Sequence, residues 1–516
     1  MQRLQLLNGI SKKTSVIGIF AGLNRTETKQ DSEFREMKNL SSDGYPTMVP
    51  RQPRSDVIET FTKCNGLYWK NGLAYVDGTS FYYDSTVKGT VADSRKTLIG
   101  MGAYIVIFPD KKIFNTSDGS MENMESSWTQ SAAATIAPTY DASTYTKISC
   151  SGIGSAFNKG DAVTISGCSQ DVLNGSKIIQ EIGTDYIVII GQIDAQTTQQ
   201  SGITITRTVP DMDYICESDN RLWGCSSENH EIYACKLGDP KNWNSFEGTS
   251  MDSYAATVGS DGDFTGCISY MGYVLFFKED CIHKLYGTKP SNMQITTYPY
   301  RGVAEGCSRS LCVVNETLYY SGRNGILRYD GAMPEDASAA LGVIRVEEAA
   351  AETYEGKYYV CLKDDKGSES LYVFDPRYGT WHREDETFFE FAKSGGGDLY
   401  YVEDNKLRKI ADSSGSERVD WYADSGAQYE GSLNRKRVSE LQLMVEMEKD
   451  TLFEVFVTYD ESMTWQRVYS KKAPDRISES VSIVPRKCNH FRYKIQGAGR
   501  FKLFALSKTV RIAGKR

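Results

Sequence analysis

The sequence is short of histidine, with four in 516 residues, and His230, His283, His382 and His490 form no HxH or HExxH pattern. Each therefore reads as a packing or surface residue rather than a base or a metal ligand. Cysteine is present twelve times, but without a CxxC pair or a Cys/His cluster at zinc-like spacing. Cys216, Cys267, Cys312 and Cys361 sit in strand-like runs. They read as free thiols packed as small apolar groups, in a chain that folds in a reducing cytoplasm. Positive charge is not in surplus: 59 Lys and Arg stand against 67 Asp and Glu, a formal net charge of -8. That excludes a broad basic clamp for nucleic acid, while a mildly acidic wall suits DNA that passes without being held. No run approaches the ~18 apolar residues of a membrane span. The longest candidate, Ser15–Leu23, is too short and lacks a clear cleavage site, so it reads as a buried strand. No long stretch places apolar residues at helical spacing. No GxSxG turn is present, and Gly152–Gly160 reads as a loop.

What the chain has is tyrosine (32) and glycine (45), the residues of pleated surfaces and of the turns between strands. "LYVFDPRYGTWHRED" (Leu371–Asp385) is a run of β-formers, a turn through Asp375-Pro376 and Tyr378-Gly379, and a second run. Similar phrases recur at Gly66–Gly89, Thr97–Asn115, Ser218–Trp243, Asp263–Gly287, Asn315–Pro334, Glu355–Asp385 and Gly396–Gly415, several with Asn-Gly or Asp-Gly turns. The interval of roughly 40–50 residues predicts propeller blades, small sheets that bury their faces on one another. A stacked β-sandwich is the competing architecture. Trp223, Trp243 and Trp381 are expected to pack within and between these hairpins.

Ser131–Thr206 is rich in Ser, Thr, Ile and Gly and reads as a small β-barrel or sandwich inserted in a propeller loop. After Gly415 the strand phrases are longer and predict a C-terminal β-sandwich. The fold class is thus all-β. The expected organisation is an extended N-terminal arm and first strand over 1–55, a propeller over 56–130 and 207–415, the insert over 131–206, and the sandwich over 416–516. "TYDESMTW" (Thr458–Trp465) resembles an Asp-box hairpin with Ser462 in place of its Gly; Asp460 is expected to cap the turn and Trp465 to pack beneath it. In the arm, Pro46, Pro50 and Pro53 keep the chain extended, and Arg51 and Arg54 are candidate contacts for an acidic neighbour. Gly259–Gly266 is the better of two weak calcium-loop candidates and reads more simply as a tight turn. No pattern requires a cofactor.

The arm, the blades, the insert and the phrases "NRLWGC" (Asn220–Cys225), "LGDPKNW" (Leu237–Trp243), "LFFKED" (Leu275–Asp280) and "GCSRSLCVVNETLYYSGRNGILRYDG" (Gly306–Gly331) together resemble the propeller-bearing hub, or nozzle, proteins of short-tailed bacteriophages. The resemblance spans about Ile19 to Thr387. It implies a non-enzymatic virion protein, made in the bacterial cytoplasm and built into the phage tail. It also implies a ring of its own copies, six in number, below portal and adaptor proteins. Such a ring keeps packaged double-stranded DNA in, lets it out on infection without binding it specifically, and gives fibres or spikes a platform. The Ser-rich insert and the acidic balance depart from that pattern. Two alternatives belong to other classes. One is a receptor- or glycan-binding propeller. The other is a propeller glycosidase, which needs an arginine cluster, a Tyr nucleophile assisted by Glu, and several Asp-boxes where this chain has one.

Overall fold

The computed structural model describes residues 11–27, 30–139, 144–460, 462, 464–472, 477–482 and 486–512. The first ten residues of the expected arm, and Glu461 and Met463 of the Asp-box phrase, lie outside them. Among the described residues there is no α-helix, and seven four-stranded antiparallel sheets form the blades of a β-propeller. In chain order they span Cys64–Thr90, Thr97–Asn123, Tyr214–Thr257, Phe264–Tyr298, Cys312–Asp336 and Val346–Glu384; the seventh joins Glu390–Lys409 to the short strand Glu59–Thr60. That last strand pairs Glu59 with Leu407 and Thr60 with Lys406, so a segment from near the N-terminus completes the final blade.

The blades form where strands are apolar on both faces. In Tyr104–Phe108, Ile105 and Ile107 pack with Val76 and Phe81 of the preceding blade, while Val106 and Phe108 pack with Leu222 and Trp243 of the following one. A period of two therefore serves two interfaces at once. The next interface sets Trp223, Cys225 and Ile232 against Phe264 and Phe276, and the last sets Leu371 and Val373 against Leu399 and Tyr401. Several hairpins turn through two residues in the left-handed region: at Asp84-Ser85, Asp219-Asn220, Asn315-Glu316 and Asp404-Asn405, φ lies between 46° and 67°. These are the twisted turns that match the strands' own twist, here made mostly by Asp and Asn, with Ser85 and Glu316, and without Gly. The Asn324-Gly325 signal is displaced by one residue: Arg323 and Asn324 make the turn and Gly325 opens the next strand.

The chain divides into two compact units. Unit 2, Thr62–Leu311 with Gly331–Pro334, holds the first four blades and the inserted sheet. That insert is one curled eight-stranded sheet from Ser126 to Arg207, wider than 131–206 because Ser126–Thr129 pairs with Thr204–Arg207. Its isoleucines, among them Ile136, Ile148, Ile187, Ile189 and Ile205, form its own core. A buried Arg207–Asp161 ion pair lies at its base.

Unit 1, Met1–Phe61 with Cys312–Asp330 and Glu335–Arg516, holds the last three blades and a two-sheet sandwich. The N-terminal stretch, expected as an extended arm and first strand, contributes a strand to each sheet of the sandwich. Ser11–Ile17 pairs with the long strand Phe501–Ile512 in one sheet, and Glu36–Lys38 pairs with Asp420–Asp424 in the other. The sandwich is therefore completed from the opposite end of the chain. Trp421 fixes its core, with ring centroids 4.1 Å from Phe501 and 5.3 Å from Phe453. Buried Lys508 ties the same N-terminal stretch down through Asp31 (3.0 Å) and Glu430 (2.8 Å).

Candidate functional site

The densest group of chemically capable side chains lies in unit 1, where residues 39–55 run across the ends of the last two blades. Arg51 makes a bidentate pair with Glu417 (2.6 and 2.9 Å) and a further bond to Asp385 (2.9 Å). Arg54 reaches Glu384 (3.1 Å), Asp385 (3.2 Å), Glu386 (2.5 Å) and the Asp385 carbonyl (2.9 Å). Its guanidinium also lies 5.5 Å from the Tyr401 ring centroid and 5.8 Å from that of Phe388. Asn39 holds the group together, donating to Asp385 at 2.7 Å and accepting from Arg51 at 3.2 Å.

This corrects the reading of Arg51 and Arg54 as contacts for a neighbour. Arg54 is 1% exposed and Arg51 is also buried; both are occupied by carboxylates of their own chain. The cause is local. Glu384 ends the outer strand Thr380–Glu384 of the sixth blade, and Asp385 and Glu386 follow directly on it. The proline-rich segment lies flat against that corner, and two buried cations are stable only with such partners. Close packing leaves no slack: a Cβ on Gly415 would stand 2.4 Å from the Arg54 carbonyl.

The electrostatics follow from an excess of carboxylates. Burial disfavours the Arg51 charge, but Glu417, Glu384 and Asp385 more than reverse this and hold its pKa above the ordinary value. Burial likewise opposes the charge of Asp385, yet Arg51 and Arg54 keep its carboxyl below the usual range. For Glu384 burial wins over the pull of Arg54 and Arg51, and its pKa is raised. Half-buried Glu403 is pushed up to about 7, first by burial and then by the adjoining Glu386 carboxylate. Glu386 also accepts a 2.7 Å bond from the Tyr401 hydroxyl.

Tyrosine, glutamate and two arginines are thus together, the set that the glycosidase alternative needs. The set is closed: Tyr401 is 0% exposed and both guanidiniums face chain carboxylates, so the arrangement holds segments together rather than a substrate. Neither Tyr401 nor Glu386 stands out in the sequence. Tyr401 is found only by following the alternation through "DLYYVED" (Asp398–Asp404), and the "EDE" run of Glu384–Glu386 is the one visible sign of a cluster.

Trp381 is buried at 1% exposure beside Phe374 (4.8 Å), donating to the Ala337 carbonyl at 2.9 Å. Its own carbonyl accepts from Leu23 (2.7 Å). At Gly22, where φ is +81°, a Cβ would lie 2.5 Å from that oxygen, so only glycine allows the approach. Trp223 and Trp243 are buried in different interblade cores. The Asp-box phrase is described only in part, since Glu461 and Met463 lie outside the described residues. The Asp460 carboxylate accepts from the N–H groups of Asn489 (2.6 Å) and His490 (3.2 Å), residues remote in sequence. Trp465 is half-buried, with Arg492 and Lys494 each 5.2 Å from its ring centroid. His382 is enclosed, and burial followed by Lys357 lowers its pKa to about 4. His283 lies between the hydroxyls of Ser260 and Thr297, each 2.9 Å away. In the calcium-loop candidate, the Ser260 carbonyl accepts from the Lys278 ammonium (2.8 Å).

No family model and no curated protein matches the chain. Among solved structures it is similar to a streptogramin B lyase, at 10% identity over 69% of this chain and 95% of that one, with a TM-score of 0.33. The dihydro-heme d1 dehydrogenase NirN is 9% identical over 74% of each chain, with a TM-score of 0.27. The endosialidase of phage phi92 is 12% identical over 75% of this chain and 59% of that one, with a TM-score of 0.17.

Proposed function

We propose that the chain is a structural, non-enzymatic protein of a phage tail, a hub or nozzle ring below the portal and adaptor that retains packaged DNA and conducts it outward. The observation that carries this reading is the inward-turned ionic cluster. The arginines, carboxylates and tyrosine best equipped for chemistry fasten the N-terminal stretch to the last two blades. A protein so fastened is rigid where a conduit must resist pressure. The turn phrases shared with tail hub and nozzle proteins supply the assignment to that class, and the net charge of -8 suits a wall that DNA slides past. The ring is built from copies of this chain, and fibres or spikes attach to it. The test is co-expression with phage portal and adaptor proteins, followed by affinity capture. Stoichiometric, salt-stable capture supports the reading; failure to bind either partner under any ionic strength overturns it.

A further inference from the structure

Beside the sixth blade, unit 1 has an open concavity of about 530 Å³ that shares no lining residue with the ionic cluster. Its floor is Tyr372, with Arg383 directly opposite on the neighbouring strand. Arg25 closes over it, donating to the Tyr372 hydroxyl at 2.6 Å with its guanidinium 5.5 Å from the ring centroid. Arg25 and Arg383 are both steadied by a single carboxylate, Glu36, at 3.0 and 3.5 Å. Two guanidiniums sharing one carboxylate leave one positive charge in excess. Arg345 and Lys366 at the rim add two more, against Asp364 and Asp365. On a chain whose net charge is -8, this is a local reversal of sign inside a concave wall, where field lines converge. Leu341, Val343 and Ile344 supply its aliphatic lining, and Val343 is 81% exposed.

We propose that this concavity binds a carboxylate-bearing sugar of an acidic glycan. The lining discriminates between anions. Sulfate and phosphodiester groups only accept hydrogen bonds and have nothing to donate to the Asp364 and Asp365 carboxylates. A sugar acid brings both kinds of group: a planar carboxylate that matches the guanidinium fork of Arg383, that of Arg25 being engaged by Glu36, and hydroxyls that donate to aspartate and serine oxygens such as those of Asp365 and Ser370. Its carbon skeleton covers the aliphatic lining at Val343. Arg25 and Arg383 are held before a ligand arrives, which lowers the ordering cost of binding. The inference is independent of the tail assignment: a glycan site on this blade is compatible with a conduit and with other roles.

The test is calorimetric titration of the whole protein with an α2,8-linked N-acetylneuraminic acid trimer and a hyaluronan tetrasaccharide. Their carboxyl-reduced forms, inorganic phosphate and a short DNA duplex serve as the other arms. At least one carboxylated sugar is expected to bind, its reduced form to bind at least ~10-fold more weakly, and the affinity to fall as salt rises. Arg383→Gln is expected to weaken binding ~10-fold or more. Arg345→Gln, at an exposed rim position, is expected to weaken it several-fold with the fold unchanged by circular dichroism; if Arg383→Gln does not fold, Arg345→Gln decides. The proposal is overturned if neither carboxylated sugar binds with a dissociation constant of ~1 mM or tighter, about −4 kcal/mol. It is equally overturned if the reduced sugars bind as well, if the variants change nothing, or if phosphate or DNA occupies the site instead.

Discussion

Glu403→Gln isolates the charge balance of the buried cluster. In the folded chain the Glu403 carboxyl is pushed up to about 7, by burial and by Glu386; in an unfolded chain it titrates near ~4.3. Its raised pKa means that the folded state holds this proton more tightly. The associated stability is complete below about 4.3 and is lost as pH rises through about 7. A difference of roughly 2.7 units corresponds to ~3.7 kcal/mol for a fully enclosed group, and half-exposure with solvent screening reduces this to ~1–2 kcal/mol. Glutamine keeps the neutral form at every pH. The variant is therefore expected to match the parent at pH 4.5 and to exceed it by ~1–2 kcal/mol at pH 8. Urea melts followed by tryptophan fluorescence measure this, since Trp381 and Trp421 are buried in the same unit. An equal offset at both pH values, or a variant less stable at pH 8, refutes the reasoning. His382 does not confuse the comparison, because both proteins carry it.

Three further outcomes are expected. Arg54→Met leaves buried Glu384 with only the more distant Arg51 (3.8 Å) and takes from Glu386 its ion pair, and should cost ~3–5 kcal/mol and open residues 50–61 to limited proteolysis; a cost below ~1 kcal/mol would mean that the cluster is dispensable. Trp381→Ala removes a fully buried ring between Phe374 and the Ala337 carbonyl, and should cost ~3–5 kcal/mol in denaturant melts; a cost below ~1 kcal/mol would contradict its burial. Deleting 126–207 and joining Glu125 to Thr208 with two glycines should leave a soluble all-β protein by circular dichroism, because Ser126 and Arg207 are paired neighbours. It should be weakened by ~1–3 kcal/mol, since Asn242 loses the Ala162 N–H it accepts at 2.7 Å. An insoluble product would make the inserted sheet part of the propeller core.

The blades were legible because alternation and turn chemistry are local. The seven hairpin phrases, from Gly66–Gly89 to Gly396–Gly415, each fall in a different four-stranded sheet. The outlying strands were not: Glu59–Thr60 is two residues long, and only its partner on the last blade makes it a strand. Likewise the Ser11–Ile17 pairing with Phe501–Ile512 joins opposite ends of the chain, which no window of sequence contains. The same distance hid the cluster. Arg51 and Arg54 look like free cations in a polar, proline-rich stretch until Glu384–Glu386 and Glu417, more than three hundred residues away, are brought against them. Arg25, Tyr372 and Arg383 are equally scattered, and only the blade's cross-strand register and the N-terminal stretch unite them.

The most direct test of the tail assignment is electron microscopy of the purified chain, alone and with its portal and adaptor neighbours. The account predicts a ring of copies with an open channel wide enough for a DNA duplex, stacked on the adaptor, with no DNA affinity tighter than the non-specific ~10⁻⁴–10⁻⁶ M range. A protein that stays monomeric and ignores both neighbours, or that binds DNA at nanomolar concentration in their absence, would contradict it.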